Sequence, residues 1–177
     1  MGSGQTMLTA AFFVLVTVSV MSANRMILNS MTDVCEQEAL EQGSAFANAL
    51  MNEILTKKFD SKVNYSFGYQ NVGSFDGPYS MGPGTAIPAP DVVPYKSIDQ
   101  TLLPYQYNDV DDYYGYERSA DSQDIQGFRL KVSVYYVTKA NPETNANTQT
   151  YYKRVDVTVT QPQFLKDGIK FSALACY

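Results

Sequence analysis

The sequence predicts an α+β chain. One long N-terminal helix, hydrophobic in its first half and amphipathic in its second, packs on a C-terminal antiparallel β-meander. Three observations carry this expectation. Residues 1–24 contain no charged side chain, and residues 7–21 read MLTAAFFVLVTVSVM. Residues 26–58 then place apolar side chains at helical spacing, and no proline occurs before Pro78. Residues 128–177 hold three segments in which apolar and polar side chains alternate, the pattern of half-buried strands.

Residues 1–24 form the first expected segment. Extended from Gln5 to Ala23 the apolar run has 19 residues, and a bilayer core needs about 20. Thr9, Thr17 and Ser19 are compatible with a helix in lipid, because short hydroxyl side chains return their hydrogen bonds to the preceding turn. A secretory signal ending near Val20-Met21-Ser22 is the competing reading. Such a signal carries a basic n-region, and no Lys or Arg precedes this run, so a retained membrane span is expected.

Residues 25–59 are the amphipathic half. Phe46, Leu50 and Ile54 recur at i, i+4, i+8, with Ala47, Met51 and Leu55 on the adjacent row. Glu36, Glu38, Glu41 and Glu53 supply the polar face, and Lys57 and Lys58 suit the negative end of a helix dipole. One helix over 5–58 would be roughly 80 Å long at 1.5 Å per residue.

Residues 60–127 hold six of the eight prolines and stretches such as GPYSMGPGTAIPAP that exclude a helix interior. They read as irregular connecting chain with a short strand at 63–69. Strands are expected at 128–138, 151–160 and 168–176. Their inward faces are Phe128, Leu130, Val132, Val134 and Tyr136; then Val155, Val157 and Val159; then Ile169, Phe171 and Ala173. The polar stretch KANPETNANTQ links the first two.

Composition narrows the function. The chain has no histidine, which removes a Ser-His-Asp triad, imidazole metal ligands and a general base with an unperturbed pKa near neutrality. Two cysteines cannot build a four-ligand zinc site. A net charge of −5 argues against a nucleic-acid binder. No enzyme, cofactor or metal is expected; binding and structure remain.

The architecture resembles the type IV pilins and their secretion-system pseudopilin relatives, in which an apolar helix of this length is half packed on an antiparallel sheet. The motif-level likeness is confined to the first two dozen residues. Gln5 stands at the fifth position, where a pilin usually has glutamate, and Ser22 stands where many carry proline. Gly4-Gln5 looks like the glycine-before-cleavage site of one class of pilin leaders, so these two residues mark an expected processing site. The resemblance implies a structural subunit of an extracellular filament that polymerises with copies of itself through Gln5, Met7, Leu8, Phe12, Phe13, Val14, Leu15, Val16, Val18, Val20 and Met21. A membrane-inserted pool would precede assembly. Arg25 is the only charge flanking the span; by the positive-inside rule it favours an outside N-terminus, whereas the resemblance implies the reverse. A membrane-anchored monomeric binding module and a pseudopilin are the alternatives.

Further residues carry narrower expectations. Two cysteines in an exported domain usually pair. A bridge between Cys35 and Cys176 would close a loop of about 140 residues, on the order of 4 to 5 kcal/mol by loop entropy. Two buried free thiols in a reducing compartment are the other reading. Residues 99–124 carry seven acids against Arg118, net −6, while 128–177 carry seven bases against three acids, net +4. Either neighbouring subunits meet through these charges, or they are solvated or paired within one chain. The acidic run NDVDDYYGYE offers calcium ligands without EF-hand spacing. All fourteen tyrosines lie at or after Tyr65, suiting either an adhesive surface or core packing. Asn64-Tyr65-Ser66 is a glycosylation sequon.

Overall fold

In a computed structural model the described residues are 2–62, 70–79, 81, 93–94 and 107–177. The expected strand at 63–69, the Asn64 sequon and Asp99 fall outside them. The chain divides into two compact units, Met1–Glu38 and Ala39–Tyr177. Helix α1 (Ser3–Leu55) supplies nearly all of the first unit and the opening element of the second. Its ends lie within three residues of the expected 5 and 58.

The second unit is a five-stranded sheet in sequential order: β1 (Val93–Pro94), β2 (Glu117–Ala120), β3 (Phe128–Tyr136), β4 (Tyr152–Gln161) and β5 (Leu165–Cys176). β1 runs parallel to β2, and the other neighbours are antiparallel. β2 lies in the stretch read from sequence as connecting chain. It is short, and its residues Glu117, Arg118 and Ser119 lack the β-branched or aromatic character that marks a strand. Its place comes from pairing with β3, with Arg118 opposite Leu130.

The expected inward faces of β3 and β4 are buried: Phe128, Leu130, Val132 and Val134 of β3 join Val155, Val157 and Val159 of β4 in one core cluster, while Tyr136 is buried in a second cluster and Ile169, Phe171 and Ala173 of β5 are only partly buried at the edge of the first. Ala39, Ala47, Leu50, Met51 and Ile54 of α1 close that cluster from the other side. Leu55, expected on the same row, is 40% exposed instead, because the helix ends there and turns toward solvent. Gly43 shows why the two layers meet so closely. A methyl group at this position would stand 3.3 Å from Leu165 Cδ1 and 3.5 Å from Phe128 and Val159 side chains, so the missing side chain admits the sheet. That contact offsets a cost of about 1 kcal/mol for glycine inside a helix.

After Leu55 the backbone joins the sheet side of the unit. Lys58 N–H donates to Asn108 O and Val110 N–H donates to Lys58 O, a parallel bridge that ends the helix and turns Phe59 and Asp60 inward. At the opposite end, the β4–β5 turn is held by Gln161, whose Oε1 accepts from the backbone of Gln163 and Phe164 at 2.8 and 2.7 Å. β5 begins at Leu165, three residues before the expected start. Gly168 sits within it at φ 70°, beside a register shift between Val159 and Gln161. A Cβ there would lie 2.9 Å from Thr160 Cγ2, so glycine is required both by conformation and by space.

The predicted disulfide is not formed: Cys35 and Cys176 are free thiols, the first half-buried and the second exposed. Cys35 lies on α1 in the first unit and Cys176 ends β5 in the second, so the two do not share one compact unit that would hold them together.

Candidate functional site

Two constellations stand out, one apolar and one polar. The apolar one is the first unit. Met7, Leu8, Phe12, Phe13, Val14, Leu15, Val16, Val18, Val20 and Met21 are all exposed, from 40% at Val16 to 77% at Met7. Gln5 is exposed in the first turn of the helix, where its N–H donates to Gly2 O at 2.9 Å. Successive residues of a helix point about 100° apart, so this run presents hydrocarbon around the whole circumference. The exposed apolar set continues through Met26, Ile27, Leu28, Met31 and Val34, past the expected boundary at residue 24.

The polar side chains in this stretch turn inward on the helix itself. Thr9 Oγ1 donates to Gln5 O at 3.1 Å, Thr17 Oγ1 to Phe13 O at 2.7 Å and Ser19 Oγ to Leu15 O at 2.8 Å. Their donors are satisfied without water, which is what a lipid or a packed helix bundle demands. By length and composition, α1 is able to cross a membrane, and none of its most apolar stretch is buried among the described residues.

The polar constellation lies inside the second unit. Lys153 is on β4, has no exposed surface, and directs its ammonium to Asp111 Oδ1 at 2.6 Å, Phe59 O at 2.8 Å and Asp60 Oδ2 at 3.2 Å. All three donors of the ammonium are thereby used. The rings of Phe59 and Tyr136 stand over the same nitrogen at 4.5 and 5.1 Å. Burial pushes the Asp111 carboxyl up to about 7, against the pull of Lys153. Asp60 also caps the following chain, accepting from Lys62 N–H and Asp76 N–H, and the Tyr136 hydroxyl donates to Asp76 O at 2.8 Å.

Asp60, Asp76 and Asp111 bring one carboxylate oxygen each within 4.8 Å of one another, a spacing that suits a cation. The positive charges that meet them are the Lys153 ammonium, on Asp60 and Asp111, and the Lys62 ammonium, on Asp76 at 2.6 Å. Of the acids expected to ligate calcium, Asp111 belongs to this cluster, whereas Asp109 accepts from Asp112 N–H at 3.0 Å and Asp112 accepts from Asn108 N–H at 2.8 Å. These two shape a turn instead of converging on one point.

A second ion pair, buried at Arg118 and partly solvated at Glu53, locks the helix to the sheet. Arg118 of β2 donates through one terminal nitrogen to both Glu53 oxygens, at 3.1 and 3.0 Å, and through Nε to the Tyr116 hydroxyl at 2.9 Å. The Tyr113 hydroxyl donates to Glu53 Oε1 at 2.8 Å. Tyr107, Tyr113 and Tyr116 pack edge to face, with centroids 4.8 to 5.7 Å apart.

The chain matches no protein-family model, no curated protein and no solved structure. Site residues are therefore assigned from geometry alone. The expected assembly residues share one exposed helix. The tyrosines divide: Tyr107, Tyr113, Tyr116 and Tyr136 are core residues, while Tyr79 and Tyr114 are exposed. Several charges of opposite sign pair within the chain, among them Asp111 with Lys153 and Glu117 with Lys131. Lys153 is one of the seven bases of 128–177, open in sequence between contact with neighbouring subunits, solvation and pairing within the chain, and its full burial is not among those expectations. A signal was available, since Lys153 shares strand parity with the buried Val155, Val157 and Val159.

Proposed function

We propose that this chain is the structural subunit of an extracellular filament of the type IV pilin kind, assembled from copies of itself through residues 5–34 of α1. The supporting observation is a helix that is apolar and exposed on every side in one unit, then amphipathic and packed on an antiparallel sheet in the other. Exposed hydrocarbon on this scale needs a cover. A bilayer covers it in the free subunit, and the same residues of neighbouring copies cover it in a filament. The back-bonded Thr9, Thr17 and Ser19 suit both environments. The heads, Ala39–Tyr177, form the outer wall, and the role requires no catalysis.

Negative-stain microscopy of sheared surface fibres, combined with peptide mapping, tests this. The filament reading expects α1 and sheet peptides of this chain as major fibre components. Protein that remains monomeric in membranes and enters no fibre overturns it in favour of an anchored binding module.

A further inference from the structure

We propose that Lys153 and Asp111 are joined by an intramolecular amide bond that forms spontaneously after folding, with Asp60 relaying the proton. This goes beyond the filament reading and does not depend on it. Four features of the site point to condensation. The amine nitrogen and a carboxyl oxygen of Asp111 are held 2.6 Å apart by different elements, β4 and the 3-10 turn Asp111–Tyr113. Reacting groups held in this way behave as though at effective concentrations of about 10⁵ to 10⁸ M. Neither side chain is accessible to water, at 0% and 4% exposure. Burial also favours the uncharged acid of Asp111, the form whose carbonyl carbon an amine attacks. Finally, a second carboxylate, Asp60 Oδ2, lies 3.2 Å from the same nitrogen and is fully buried.

The step balances without any co-reactant. Asp60 accepts a proton from the Lys153 ammonium, and the freed amine attacks Cγ of Asp111. A bond forms between Nζ and Cγ, and a carbon–oxygen bond of the carboxyl breaks. The oxygen leaves as water, taking the proton that Asp60 returns and one from the nitrogen. Ammonium and carboxylate are thus converted to a neutral amide and one water. The product remains satisfied, because its single N–H keeps the acceptor Phe59 O, at 2.8 Å from the nitrogen. Two opposite buried charges disappear, which relieves the desolvation cost that such pairs carry. The bond ties β4 to the turn beside the Lys58–Asp109 bridge, a covalent staple in a chain whose cysteines are free.

Intact mass spectrometry of the full-length chain, purified in detergent and denatured immediately before measurement, tests the proposal. The chain is expected to be lighter than its sequence by one water, and digestion should yield a branched peptide joining Lys153 to Asp111. Lys153→Arg and Asp111→Ala should restore the full mass. Asp60→Asn should slow cross-linking at least tenfold, and complete cross-linking in that variant overturns the relay. Wild-type protein that is folded by circular dichroism yet has its full sequence mass overturns the bond itself. So does a missing water located elsewhere, such as a succinimide at Asp167-Gly168. These masses are read on the subunit, so a negative result leaves the filament reading standing, and failed fibre formation leaves this one standing.

Discussion

Asp156 shows how one side chain sets a pH limit on the head. It lies on β4 with a nearly buried carboxylate, and burial alone pushes its pKa up. Hydrogen bonds from Lys170, Ser172, Arg154 and Tyr135 outweigh that and bring it down to about 2, from the usual 3.8. A depressed carboxyl stabilises the fold above its unfolded value and stops doing so as pH falls through its folded one. The melting temperature should therefore decline as pH falls from about 4 to 2, and Asp156→Asn should flatten that decline. Glu53 offers a second test. Glu53→Gln leaves the 7%-exposed Arg118 without its counter-charge, at an expected cost of about 2 kcal/mol, since Glu53 is itself partly solvated. Urea unfolding followed by near-ultraviolet tyrosine dichroism measures it. An unchanged midpoint would show that Arg118 finds other acceptors.

At the scale of elements, α1 performs two roles with one backbone. Beyond Ala39 it is stabilised by a stripe of Ala47, Leu50 and Ile54 pressed on the sheet, and truncating Leu50 removes part of that stripe. Before Glu38 its large apolar side chains, Met7 to Val34, are exposed among the described residues, and the proposed filament would bury them against lipid or other copies. Val16→Asp places a charge near the middle of the span, where insertion scales assign a cost of about 2.5 to 3.5 kcal/mol. Membrane retention under alkaline carbonate extraction should fall sharply and fibre yield with it. Wild-type retention and yield from this variant would refute burial of residues 5–34.

At the scale of the whole molecule, two sources of cohesion between copies in the proposed filament can be ranked. The exposed hydrocarbon of residues 7–21 removes large side chains from water, at roughly 1.5 to 3 kcal/mol for each fully buried one. Charge pairs on the heads are worth at most about 1 kcal/mol each when exposed, and salt screens them. Several of the head's charges are already engaged within the chain, as in Arg154–Asp156 and Glu117–Lys131, so fewer are left for neighbours. A finished filament should accordingly survive molar salt and dissolve in detergent that solvates the helices, measured by sedimentation of fibres before and after treatment. Fibres that dissociate in salt yet resist detergent would place the cohesion in the heads.

Periodicity was enough to read α1, its packing face and three of the strands, because a repeat of 3.6 or 2 is a property of the chain alone. It also contained Lys153 at the parity of Val155, Val157 and Val159, although a lysine on an inward face is credible only once acceptors are known to meet it. Those acceptors come from residues 59, 60 and 111, which are far apart in sequence and meet through the Lys58–Asp109 bridge. The same limit applies to Glu53 and Arg118, to β2, and to the unpaired state of Cys35 and Cys176. Sequence by itself determined α1, its apolar run and the three long strands β3, β4 and β5, since local sterics and hydrophobic spacing act over a few residues. Only the tertiary structure decided which charges are buried, which tyrosines are core and that both cysteines are free, because those outcomes depend on distances that folding alone sets.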